Sequence, residues 1–102
     1  MKKVIDGKLY DTETATEIAS FDNGRGWDDF HHLNETLYIT KKGQHFLYGI
    51  GGAMSKYSEK SGNMTHGTEN IELLNAIEAR EWAESNNIDA DIIAKHFDVE
   101  IG

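Results

Sequence analysis

The chain has 102 residues, 38% hydrophobic and 27% charged, with a formal net charge of −8. That length holds one domain rather than two with separate cores, and the composition is neither that of a disordered chain nor that of a collagen-like one. No apolar run approaches the roughly 20 residues that span a bilayer, and no hydrophobic region follows Met1-Lys2-Lys3 as a secretory signal requires. Without cysteine there are no disulfides, thiolate nucleophiles or thiolate zinc sites, and a cytoplasmic location is expected.

In chain order, residues 2–10 read as a hairpin, with Val4-Ile5 and Lys8-Leu9-Tyr10 flanking the turn pair Asp6-Gly7. Residues 12–15 form a second turn and 16–21 a strand containing Ile18. A short helix over 14–19 is the competing prediction, because Thr14 and Glu17 fit a capping box. Asp22-Asn23-Gly24-Arg25-Gly26 is a loop, followed by aromatic mass at Trp27 and Phe30. Thr36, Tyr38 and Thr40 then alternate with Leu37, Ile39 and Lys41, a period of two that predicts a strand. Lys42-Gly43 turns the chain, and 44–50 returns as its antiparallel partner. Residues 51–70, rich in Gly, Ser, Asn and Lys, are expected to be a long polar loop, of the kind that is usually functional or mobile.

The remainder, 71–102, is expected to be an acidic helical segment. Asn75 with Glu78 three residues later is a capping-box variant; Ala76, Ala79, Trp82 and Ala83 share one stripe, with Glu78, Glu81 and Glu84 opposite. Asn86-Asn87 breaks the pattern, and Asp89 caps a second helix whose apolar face is Ile92, Ile93, His96 and Phe97. The predicted fold is a single α+β domain over 1–102. Its antiparallel β-sheet of about four to five strands is followed by two C-terminal helices on one face, with Trp82 and Phe97 among the large buried side chains.

Charge is unevenly placed. Residues 69–102 hold Glu69, Glu72, Glu78, Glu81, Glu84, Asp89, Asp91, Asp98 and Glu100 against only Arg80 and Lys95, whereas 1–68 is close to balance. Such a segment disfavours direct nucleic-acid binding, which depends on cations, and favours a basic protein partner. The alternative is an acidic surface that serves solubility alone. Nucleotide-loop, serine-hydrolase, metalloprotease and EF-hand patterns are all missing, and Gly49-Ile50-Gly51-Gly52 reads as a strand-end turn. Asp28, Asp29, His31 and His32 offer oxygen and nitrogen ligands, so a metal-dependent enzyme that nicks or modifies nucleic acid is a third reading. No nucleophile, base and stabiliser assemble, so the expectation is no catalysis and no cofactor. The candidate partner-binding residues are Glu78, Glu81, Glu84, Asp89 and Asp91, with Ile77 as an apolar anchor among them.

Three stretches also resemble a known group: Lys8-Leu9-Tyr10-Asp11-Thr12-Glu13-Thr14-Ala15, Glu35-Thr36-Leu37-Tyr38-Ile39-Thr40-Lys41-Lys42-Gly43, and Gly51-Gly52-Ala53-Met54-Ser55-Lys56-Tyr57, with Glu81-Trp82 beyond them. They are similar to small proteins carried by phages, plasmids and integrative elements of bacteria, some of which look like anti-CRISPR inhibitors of the type II effector Cas9. The resemblance covers most of the chain to about residue 85 and supplies no catalytic residues. It implies a mobile-element protein that binds Cas9 of a type II-A system, or its guide RNA complex, and occludes the basic nucleic-acid channel. A non-catalytic regulatory or assembly module of a mobile element is the alternative it leaves.

Overall fold

Asp6 and Gly7 take φ of 51° and 76°, the left-handed pair that a two-residue hairpin turn needs. In the computed structural model, which describes residues 1–102, they join β1 (Lys2–Ile5) to β2 (Lys8–Asp11) in antiparallel register. A turn at 12–14 leads into β3 (Thr16–Asp22), so the competing helix over 14–19 does not form. β4 (Leu33–Ile39) and β5 (His45–Gly51) are the alternating strands, and β6 (Ser58–Ser61) and β7 (Met64–Leu74) follow. The larger sheet is antiparallel throughout, in the order β3-β4-β5-β7-β6, while β1 and β2 make a separate two-stranded sheet. Two helices complete the α+β fold, α1 (Ala76–Ser85) and α2 (Ala90–His96).

Side chains alternate across a strand, so the pairs Leu37↔Leu47 and Tyr38↔Phe46 lie on opposite faces of the large sheet. Leu37 and Leu47 join Ile18, Ala19, Leu74 and Ala79 in a core against which Trp82, Ile88, Ile92 and Phe97 pack. This is the helix side. On the other face Phe46 and Ile71 cluster with Tyr10 of the hairpin, and Phe46 meets Tyr10 edge-on and stacks on Tyr38. The molecule is thus layered as helices, large sheet and small hairpin.

Four expectations differ from the structure. Residues 51–70 are not one long loop: β6 and the first half of β7 form a hairpin there, and only 52–57 is irregular. Every side chain from 58 to 67 is exposed, so the ladder is held by backbone bonding and leaves no apolar alternation to read. Nor is 71–102 wholly helical, because Ile71–Leu74 complete β7 beside β5. Trp82 and Phe97 are half-buried, and the largest fully buried side chains are Phe46, Leu37, Leu47 and Ile71. Ala76, expected on the inward stripe, is exposed at the start of α1.

The excursion at 52–57 carries Tyr57 back over β5. A Cβ built on Gly49 would lie 1.7 Å from the Tyr57 ring, so only glycine fits this crossing. Gly49→Ala should therefore cost about 2 kcal/mol or more through overpacking. The urea unfolding midpoint reads it, and an unchanged midpoint would mean that Tyr57 does not sit there.

Candidate functional site

α1 begins where Asn75 turns extended and closes a capping box: its side chain accepts from the Glu78 amide at 2.8 Å, and Glu78 Oε1 accepts from the Asn75 amide at 2.9 Å. Glu78 is therefore engaged in starting the helix. Ala79 and Ala83 face the sheet, and at about 100° per residue Ile77, Glu81 and Glu84 share the outward arc. Ile77 is 60% exposed. Glu81 forms no ion pair, while Glu84 lies 3.5 Å from Arg80 in an exposed pair of small energetic weight. In α2, Asp89 caps the helix by accepting from the Asp91 amide at 2.8 Å, and Asp91 stands exposed in the first turn. Of the six sequence candidates, the structure gathers Ile77, Glu81 and Glu84 on one arc. Glu78 and Asp89 serve as caps, and Asp91 lies on the neighbouring helix.

Beside Ile77 is a groove of about 410 Å³ lined by His45, Arg80, Lys95, His96 and Phe97. The only two basic residues of the acidic third, Arg80 and Lys95, thus line this concavity. His45 is buried and stacks on Phe97 with ring centroids 5.3 Å apart. Burial, and secondarily the neighbouring His96, push its imidazole pKa below the ordinary value.

What holds α1 in place was not apparent from periodicity. Glu35, on β4 beside Leu37, is buried, and three donors from two other segments converge on its carboxylate. Trp82 Nε1 of α1 donates to Oε1 at 3.1 Å. Tyr57 and Lys56 of the excursion donate to Oε2, the ammonium at 2.6 Å. Burial alone would raise the Glu35 pKa, but the bonds from Lys56, Tyr57 and Trp82 outweigh it and hold it low. The Tyr57 phenol is correspondingly raised, first by burial and then by Glu35. The one signal in the sequence was an acid at an inward position of an alternating strand.

The side chains of the Asp28/Asp29/His31/His32 cluster do not converge as a ligand set. Asp29 Oδ1 accepts from the His31 amide, Asp29 Oδ2 pairs with Arg25, and His32 turns inward to contact the Arg25 carbonyl. No group of three or more His, Asp or Glu side chains in the molecule is arranged to hold a metal ion. A concavity of about 690 Å³ lies between β2 and the β4–β5 turn, where Lys8, Lys41 and Lys42 line it. No helix is long and apolar enough to cross a membrane.

Compared with known proteins, the chain matches no family model, no curated protein and no solved structure.

Two predictions follow from the site's chemistry. Trp82→Phe keeps an aromatic ring at the position but removes the indole N–H donor from a buried carboxylate, and should cost about 1–3 kcal/mol in chemical denaturation. A loss within experimental error would show that the indole bond does not hold α1. Burial holds the His45 pKa of the native protein below the ordinary value of 6.5 at which the unfolded chain takes up its proton, so stability should fall as pH drops through that value. His45→Phe should flatten the fall in thermal midpoint between about pH 7.5 and about pH 5.5. An unaltered slope would assign the effect to other groups.

Proposed function

We propose that this protein is a non-catalytic inhibitor that binds a basic protein surface through the outward arc of α1 and the adjoining acidic residues of α2 and the C-terminal segment. The observation that carries the reading is the placement of an exposed Ile77 beside the unpaired Glu81, with Asp91, Asp98 and Glu100 also exposed in the same third of the chain. Carboxylates so placed attract and orient a cationic partner, speeding encounter at low salt. Ile77 supplies apolar contact that persists after docking, since affinity concentrates in a few desolvated anchors.

The sequence resemblance makes Cas9 of a type II-A system, or its guide RNA complex, the proposed target. Its channel for guide and target strands must be basic to hold phosphates. An acidic helical face seated in that channel would block guide loading or DNA engagement stoichiometrically, in the bacterial cytoplasm and without contacting nucleic acid. The second reading, a regulatory or assembly module of a mobile element, is favoured by one observation. Glu78, Asp89 and Glu84 all have local structural partners, which leaves fewer carboxylates free for recognition.

Glu81→Lys combined with Glu84→Lys leaves the caps untouched and should slow association with the target at least ~10-fold at low salt, with the difference shrinking as salt rises. Ile77→Ser should mainly speed dissociation. Surface plasmon resonance separates the two. Unchanged association by the double variant would place the interface elsewhere.

A further inference from the structure

Trp27 and Phe30 are 73% and 65% exposed, and both line a groove of about 560 Å³ between the loop before β4 and the start of β7. The loop is fixed there by backbone bonds from Gly52 to the His32 carbonyl and from Met54 to the Phe30 carbonyl. His32 also lines the groove and is only 3% exposed, with the Trp27 ring over it at 4.4 Å. Its Nδ1 lies 2.8 Å from the Arg25 carbonyl. A carbonyl only accepts, so Nδ1 carries the proton, and in the Nδ1–H tautomer Nε2 is left as an acceptor. That Nε2 is buried and has no partner. A buried acceptor without a donor is costly, and it specifies what the site lacks: an N–H or O–H.

The charge around it is one-sided. Asp28, Asp29 and Glu69 line the groove and no lysine or arginine does. Asp29 is matched by Arg25 and Glu69 accepts from Tyr48, but Asp28 takes part in no salt bridge.

We propose that this groove receives an arginine side chain of a protein partner. The guanidinium stacks on Trp27, donates to His32 Nε2 and is balanced by Asp28. Arginine answers each feature at once: it is planar, cationic and rich in donors, and it stacks on indole. Lysine has no face to stack, and the carboxylates repel the phosphates that a nucleobase would bring. Because His32 Nε2 is buried and the Trp27 ring lies against the imidazole, entry of the guanidinium requires the exposed Trp27 side chain to move. The inference rests on the preceding reading in taking the partner to be a basic protein, but it names a separate surface.

The test is a titration of the ¹⁵N-labelled protein with hexa-arginine, hexa-lysine and a short single-stranded DNA. The side-chain resonances of His32 and the indole of Trp27 are followed. Hexa-arginine should move His32 Nε2 toward the position of a hydrogen-bonded acceptor and shift the Trp27 indole, at a concentration at least ~10-fold below hexa-lysine. Trp27→Ala, at an exposed position, should abolish the His32 shift, and Asp28→Asn should weaken it. Glu81→Lys with Glu84→Lys should leave the His32 shift intact, so failure of the α1 interface is read separately. Equal responses to both peptides, a His32 shift that survives Trp27→Ala, or a stronger response to DNA would each overturn the proposal.

Discussion

A carboxylate buried among hydrophobic side chains is the constraint on which the arrangement of this protein depends. Glu35 sits on an inner strand facing the helices, where an unpaired charge is untenable. It is tolerated because an indole from α1, a phenol and an ammonium from the excursion after β5 all point at it. Removing the partner of a buried charge costs about 3–5 kcal/mol in well-enclosed cases. The solvent reached by Lys56 lowers that figure here, as for any half-exposed ion pair. Even so, three segments distant in sequence are fixed by one side chain. Gly49 belongs to the same device, since a side chain there would exclude the Tyr57 ring.

The position of the outward helical surface follows from this lock. Trp82 can reach Glu35 only if the Ala79/Ala83 side of α1 lies against the sheet, and 3.6-residue periodicity then directs Ile77, Glu81 and Glu84 outward. The proposed interface is therefore rigidly referenced to the sheet, an economy for binding because little ordering is left to occur on association. Glu35, Tyr57 and Trp82 build the scaffold, whereas the acidic arc and the Trp27/His32 groove are surfaces laid over it.

Much of the fold was legible because its signals were local. Asp6-Gly7 marked the first hairpin, alternation from Thr36 to Lys41 marked β4, and Asn75 with Glu78 marked the start of α1. The hairpin of β6 and β7 was not, because its side chains are exposed on both faces and periodicity reports burial rather than backbone pairing. Placing the β1–β2 hairpin on the sheet face away from the helices likewise required three-dimensional contacts, those of Tyr10 with Phe46. In the candidate site, exposure of Ile77 and Glu81 was readable from helical spacing. Local engagement of Glu78 and Asp89 as caps was half-readable, since the motif that predicted each cap also assigned its carboxylate a structural partner. His32 could not be read, because its free acceptor is defined by a carbonyl seven residues away that only the folded loop brings near.

The proposed function is stoichiometric inhibition by binding, and DNA cleavage by purified type II-A Cas9 is its decisive assay, with this protein titrated in before or after guide RNA. Cleavage should be lost near an equimolar ratio, and protection confined to addition before the guide would place the block at loading. Full cleavage at a large molar excess in both orders of addition, across several Cas9 orthologs, would contradict it.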